Sequence, residues 1–374
     1  MNEVKFKEFI KLNRGFDLPN DKMVLGEYPV VASTNIKGFH NNFKVKGPCV
    51  VTGRSGSLGT VQYIISDCIP LNTTLYVKDF KGNYPKYVYY YLKTMHLESY
   101  NSGAGVPTLN QNHLHNIKLK IHDYNTQQKI ADILSAYDEL IENNNRRIEL
   151  LEKTAENLYK EWFVRFRFPN YKETKFEKGL PQEWEVRRLS EFIYVTDGTH
   201  DTPKQTESGH YLITGKCITN DFIDFSKAYF ISEDDHEKIK KRSGLDKGDI
   251  LFSNIGTVGS VSIIDYGIDF SVKNVIILKP QSDIEKCYLY CLLKNSTIQE
   301  LFKQQTNGSS QQFISLGFMR GFKVLIPSMV ILEKFKGIVE PIIAEKYNLY
   351  KKNQKLIKQR DLLLPRLMSG KLEV

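Results

Sequence analysis

A chain of 374 residues, 41% of them hydrophobic, is long enough for two or three domains with real cores. Its net charge of +9 suits a polyanionic partner. Five cysteines, odd in number and irregularly spaced, suggest reduced thiols in a cytoplasm rather than a disulfide framework. There is no N-terminal apolar segment and no run of about 18 apolar residues, so neither secretion nor a membrane span is expected.

Residues 1–125 read as a first compact mixed module with 15 basic and 9 acidic side chains. Tyr28–Ala32, Cys49–Thr52, Thr60–Ile65 and Leu71–Val77 are apolar or alternating runs bounded by Gly, Pro and Asp, as strands are. Pro85 to Met95 is a short aromatic-rich helix, and Ile117–Ile121 a closing strand. Residues 126–167 then form one long helix. Ile130, Leu134, Tyr137, Ile141, Asn144, Ile148, Leu151, Ala155, Leu158 and Trp162 alternate steps of four and three, a heptad seam with no Pro or Gly inside it. The seam rises about 48 Å at ~1.5 Å per residue. Asn144 is its one amide, placed either in the seam as a register-setting group or at a solvated edge.

Phe168-Pro169-Asn170 is expected to stop this helix, and residues 168–184, polar and charged with Gly179 and Pro181, read as a linker. Residues 185–327 form a second module, nearly neutral with 17 basic and 18 acidic side chains. Its strands are Tyr211–Thr214, Ile250–Ser253, Ser260–Ile264, Asn274–Leu278 and Phe322–Ile326, with a helix around Tyr288–Leu293. The cluster Lys238, Lys240, Lys241 and Arg242 fits a solvated helix face. Residues 328–374 form a second long helix and a tail. Phe335, Val339, Ile342, Leu349, Leu356 and Leu363 keep the heptad rhythm, interrupted by Lys346, Asn353 and Arg360. Residues 126–167 carry 7 Lys/Arg against 8 Asp/Glu, and 328–374 carry 10 against 5, so the two helices suit each other. Glu149, Glu152 and Glu156 are expected to meet Lys346, Lys351, Lys352, Lys355 and Lys358 in exposed pairs worth little stability.

The chain repeats itself once. Glu3-Val4-Lys5 followed by Glu8-Phe9 is echoed by Glu185-Val186-Arg187 followed by Glu191-Phe192. The run Gly53 to Val61 is echoed by Ser253 to Val261, with Gly56/Gly256 and Gly59/Gly259 at one offset. Tyr87–Lys93 resembles Tyr288–Lys294, and Gly103–Ile121 resembles Gly308–Ile326.

Catalytic signatures are missing. The stretch 53–59 lacks the Lys-Ser/Thr of a phosphate loop and runs from strand to strand, so a tight turn is expected. No methyl-donor fingerprint, Asn-Pro-Pro-aromatic run, metal cluster or Ser/His/Asp arrangement is visible. Cys287 and Cys291 could share a helix face but have no second Cys/His pair. His113 and His115 read as a strand end or turn. Asp197-Gly198-Thr199-His200-Asp201 reads as a turn with Asx-type bonding. Two loops are amide-rich and small: 101–112, with Asn101, Ser102, Asn110 and Gln111, and 306–312, with Ser309, Ser310, Gln311 and Gln312. Amides can pair with adenine edges, and small residues let a backbone approach a phosphate; a flexible surface loop is the plainer reading.

The order of these elements resembles the specificity (S) subunit of a type I restriction-modification system. Gly53–Thr60, Gln127–Leu134, Leu158–Phe163, Leu180–Glu185 and Arg360–Lys371 carry the resemblance, which covers nearly the whole chain. The second helix start, Leu332-Glu333-Lys334-Phe335, departs from it by lacking the paired Gln of the first. The resemblance implies an α+β fold: two pseudo-repeated mixed α/β target recognition domains separated by two long antiparallel coiled-coil helices. It also implies that each domain reads one half of a bipartite, asymmetric site in double-stranded DNA. The helices would set the spacer and dock two methyltransferase (M) subunits, with restriction (R) subunits joining. The chain would be a non-catalytic cytoplasmic subunit binding no metal or cofactor, with S-adenosylmethionine, ATP and Mg2+ on the partners. Arg54, Ser55 and the 101–112 loop are then the expected DNA contacts in the first module, and Lys216, Asn254 and the 306–312 loop those in the second. Alternatives from other classes are a protein-interaction scaffold on a coiled-coil stalk and a DNA-modifying enzyme with an unrecognised site.

Overall fold

The computed structural model describes residues 1–265, 267–306 and 313–374, which fall into two compact units, 1–145 with 350–374 and 146–349. Each unit contains one mixed module and a stretch of both long helices.

In the first unit Cys49–Gly53 is buried on both faces, as a run of β-branched residues permits only in a central strand. It lies between Val61–Ile64 and Thr74–Asp79, and Lys11–Arg14 completes an antiparallel four-stranded sheet. Tyr28–Val31 centres a second sheet, antiparallel to Ile36–His40 and parallel to Ile69–Pro70. Asn2–Lys5 pairs with Lys118–Ile121 and closes the module just before the first long helix begins. The second unit repeats the plan. Ile250–Ser253 lies between Val261–Ile263 and Val275–Lys279, with Tyr194–Asp197 outermost. His210–Ile213 is antiparallel to Tyr229–Ile231 and parallel to Phe270–Val272, and Glu185–Arg188 pairs with Lys323–Ile326. The fold is α+β with two pseudo-repeated modules.

The aromatic helix Pro85–Thr94 starts on proline, whose fixed φ suits a first helical turn, and buries Tyr87, Val88, Tyr90, Tyr91 and Leu92. Its counterpart is Asp283–Lys294, capped by Ser282. Two further helices escape the periodicity reading. Glu233–Ser243 is nearly all charged, but Ser232 caps it, three acids open it and Lys240, Lys241 and Arg242 close it, so its charges complement the helix dipole. Ser296–Thr306 is the other. His113 and His115 sit on a third, the short helix Gln111–His115, rather than on a strand or turn. His115 Nε2 accepts from the Leu12 amide at 3.2 Å, and burial, with Lys11 and Lys7 near, lowers its pKa.

The long helices form part of each unit's core. The first runs Tyr124–Tyr159 and ends in a π turn, Lys160–Val164, with Phe166 in the left-handed region (φ +57°). It therefore stops before Pro169, not at it. Ile130, Ala131 and Leu134, with Leu367 and Met368 of the second helix, Met329–Met368, belong to the first module's core. In the second unit Phe163 packs edge-on against Tyr288 and Phe335, with centroids at 5.0 and 4.8 Å, and Trp162 lies 5.6 Å from Phe335.

Each polar interruption of the second seam has a partner. In the first unit Asn144 Nδ2 donates to Asn353 Oδ1 at 2.8 Å, and Asn353 Nδ2 donates to Asn145 Oδ1 at 2.8 Å; Asn144 and Asn353 are buried. Arg360 meets Asp138 at 2.5 Å, and Asp138 also accepts from the Tyr90 hydroxyl at 2.6 Å. In the second unit Lys346 is 2% exposed, where an exposed ion pair was expected. It pairs with Glu152 at 2.6 Å and with Asp221, and donates to the Tyr290 hydroxyl at 2.6 Å. Asp221 also meets Lys294 at 2.6 Å. Glu156 pairs with Lys160 of its own helix, at 2.6 Å. Within each unit the rising numbers on one helix meet falling numbers on the other, so the helices pair antiparallel there.

Burial alone would raise the Asp221 carboxyl, but the Lys346 and Lys294 ammonium groups outweigh it and hold the group below the usual carboxylate value. A depressed folded pKa contributes stability that is present above the unfolded value, about 4, and is lost as pH falls through the folded one. Asp221→Asn leaves Lys346 and Lys294 without that charge and is expected to cost roughly 3 kcal/mol at neutral pH. In urea unfolding followed at pH 7 and across pH 5 to 2, the wild type should lose this increment on acidification and the variant should lack it.

Candidate nucleic-acid interface

The strand order of each module brings the same set of loops to one rim. In the first module Lys11–Arg14 and Cys49–Gly53 run toward the rim, and Thr74–Asp79 and Val61–Ile64 run away from it. Tyr28–Val31 and Ile69–Pro70, being parallel, both end there. The segments Gly15–Asp17, Ala32–Asn35, Arg54–Gly59 and Leu71–Thr73 therefore converge. The corresponding strands of the second module gather Gly198–His200, Thr214–Lys216, Asn254–Gly259 and Lys273–Asn274.

Hydrogen bonds lock the segments together. The Arg54 amide donates to Thr73 O at 2.8 Å, and Ser33 Oγ donates to the same carbonyl at 2.9 Å. In the second module Thr257 Oγ1 donates to Gly215 O at 3.0 Å. The glycine turns are tight turns, as expected, with Gly56, Gly59, Gly256 and Gly259 all in the left-handed region (φ +81°, +87°, +75° and +95°), which explains why both repeats place glycine at both positions.

The glycine turn and the amide-rich loop meet in the first module. Ser55 bridges Thr108, and Leu109 N donates to Arg54 O at 2.8 Å. The second module has the same stitch: Ile255 bridges Phe313, and Ile314 N donates to Asn254 O at 2.9 Å. Loop 101–112 is consequently no loose surface loop. Asn101 Oδ1 accepts from Gly103 N and Thr108 N, both at 2.9 Å, Ser102 Oγ donates to Thr108 O at 3.0 Å, and Asn110 caps the helix Gln111–His115. The Gln111 Oε1 atom is buried without a hydrogen-bond partner. The Asn101 and Asn110 oxygens hold the loop's shape, while Asn101, Ser102 and Asn112 stay exposed.

The remaining expected contacts separate. Arg54 is half-buried, and its Nη1 lies 3.4 Å from Asn72 O, a weak brace that leaves most of the guanidinium's donors open. Lys216 is exposed beside the 254–259 turn. Asn254 is 5% exposed; its Nδ2 donates to Ile314 O at 3.1 Å and its Oδ1 is buried without a partner. Its side chain faces the interior, because the strand it extends turns it under the loop. Ser309, Ser310, Gln311 and Gln312 lie outside the described residues.

The rim also holds residues that the sequence reading passed over: Arg14, Asp17 and Asn72 in the first module, and Lys273 and Asn274 beside His200 in the second. A signal existed. The offset of 183 between Glu8-Phe9 and Glu191-Phe192 also maps Gly15 onto Gly198 and Asp17 onto His200. Among the described residues no group of three or more His, Cys, Asp or Glu could hold a metal ion, and no helix is long and apolar enough to cross a membrane.

A two-part fold of this kind has known relatives. The family model for the type I restriction modification DNA specificity domain matches residues 1–153 and again 181–359. The chain is 28% identical over 356 residues to the type I restriction enzyme MjaIX specificity subunit of Methanocaldococcus jannaschii, covering 88% of this chain and 78% of that one. It is 26% identical over 310 residues to the MjaVIII specificity subunit of the same organism, covering 77% and 70%. A crystal structure of a type I restriction-modification S subunit from M. genitalium shares the fold, with a TM-score of 0.65 at 18% identity over 98% of this chain and 96% of that one. The chain belongs to the type I restriction-modification DNA specificity family.

Asn254→Ala should remove the bond to Ile314 and cost about 1–3 kcal/mol. Thermal unfolding of the variant should show that loss, while substitution of the exposed Lys216 should leave the melting temperature unchanged.

Proposed function

We propose that this chain is the sequence-reading subunit of a type I restriction-modification complex, each module reading one half of a bipartite, asymmetric site in double-stranded DNA. The observation that carries the division of labour is the repeated rim: one backbone framework presents Arg54 in one module and Lys216 in the other, on otherwise different side chains. A common framework with different side chains suits two independent readings of one kind of polymer. The first module's surplus of basic over acidic groups adds an attraction for phosphate.

In this reading the long helices set the distance between the half-sites and dock two M subunits, and R subunits join that core. S-adenosylmethionine, ATP and Mg2+ belong to the partners, and this chain contributes recognition rather than chemistry, in the cytoplasm where its DNA lies. Proposed contacts are Arg54, Ser55 and loop 101–112 in the first module, and Lys216 and the 306–312 loop in the second. Asn254 supports its turn from beneath.

Methylation-sensitive sequencing of DNA from cells carrying this subunit and its partners should reveal a two-part motif with a fixed gap. Exchange of residues 185–327 for the matching module of a relative should then change one half only. A change in both halves would sink independent reading. Affinity of the assembled complex should fall steeply with salt as condensed counterions are released, and Arg54→Ala, if Arg54 meets phosphate, should lower that slope by about one unit without relaxing any base.

A further inference from the structure

The rim of each module has a second corner, and the two corners have the same construction. In the first module Phe16 bridges Leu71 in parallel; in the second Thr199 bridges Lys273 in parallel. The residue after each first partner, Asp17 or His200, is bonded to the asparagine after each second partner, Asn72 or Asn274. Asn72 Nδ2 donates to Asp17 Oδ1, and His200 Nδ1 lies 3.0 Å from Asn274 Oδ1. Each also has an ionic partner three residues earlier. Arg14 Nη2 lies 3.8 Å from Asp17 Oδ1, and Asp197 Oδ2 lies 2.9 Å from His200 Nε2. The position is the same and the charges are exchanged: cation then anion in one module, anion then imidazole in the other.

The side chains of Asp17 and His200 are 73% and 58% exposed and so open to a partner, while the two asparagines bonded to them are half-buried. In the second module the support runs deeper: Arg242 Nη2 donates to the buried Asp197 at 3.0 Å, so a chain of contacts from Arg242 through Asp197 and His200 orients Asn274. An exposed polar group oriented by its neighbours loses little freedom when it meets a ligand.

We propose that this corner is a further base-reading position in each module, with Asp17 and Asn72 in the first and His200 and Asn274 in the second. A carboxylate such as that of Asp17 offers acceptors, so the first corner takes a base bearing an exocyclic amino group, the N4 of cytosine or the N6 of adenine. The Asn274 amide is held through its oxygen, which keeps a second lone pair beside the two N–H donors, so the second corner takes a base edge carrying both a donor and an acceptor, as adenine does in the major groove. The inference rests on the reading of the chain as a DNA specificity subunit, and deepens it by naming positions that differ in chemistry between the halves.

The test uses the full chain assembled with its M subunits and a pool of duplexes randomised over the target length, with bound duplexes sequenced. Asp17→Asn should alter or relax one base pair of the first half-site, lowering discrimination there roughly 5- to 150-fold, and leave the second half unchanged. Asn274→Ala should do the converse. Asp17→Glu keeps the charge and displaces it; a changed preference at the same base pair supports the assignment even where Asp17→Asn yields little complex. If the wild-type motif returns unchanged from all three variants, or if each weakens every sequence alike, the corners do not read bases. A wild-type complex that selects no motif at all would instead overturn the reading of the chain as a specificity subunit.

Discussion

The structure depends on how it buries polar groups between its two long helices. A buried lysine or asparagine is tolerated only where its hydrogen bonds are met, because an ammonium or amide removed from water without a partner costs several kcal/mol. Asn144 with Asn353 and Arg360 with Asp138 meet that condition in the first unit, and Lys346 with Asp221 and Glu152 meets it in the second. Apolar seams tolerate a slip of one heptad, since leucine meets leucine again. Polar pairs do not, since a slip would bring Arg360 opposite Ala131 or Asn145 and Lys346 opposite Asn145 or Tyr159. The same contacts tie helix to module: Asp221 belongs to the second module and Tyr90, bonded to Asp138, to the first.

Each module in turn needs the helices to close its core. Ile130, Ala131 and Leu134 sit among the aromatic side chains of the Pro85–Thr94 helix, and Phe163 sits against Tyr288 of Asp283–Lys294. The recognition module and its piece of helix therefore form one packed body. A rim on such a body keeps its geometry when a single exposed side chain changes, which suits a framework used twice with different residues.

Much of this organisation could be read from the residues. The unbroken alternation of four and three from Ile130 to Trp162 determines a long helix, because only a helix places those side chains on one stripe. The recurrence of Gly56 and Gly59 at Gly256 and Gly259 determines two copies of one strand-turn-strand unit, because that turn needs a left-handed backbone at both positions. Family membership follows from these landmarks in their order. Of the charged helix Glu233–Ser243 only the basic end was legible, as a solvated helix face, because its stability comes from caps and dipole complementarity rather than from an apolar stripe.

What tertiary structure alone decided is which side chains face outward together. Asn254 follows a strand whose end looks like any other polar rim residue, yet its amide is turned inward onto Ile314. Asp17 meets Asn72 across 55 residues and His200 meets Asn274 across 74, through parallel bridges that no local pattern announces. Periodicity reports the face on which a residue lies within its own element. The company it keeps is set by strand order and register, which are long-range properties of the folded chain.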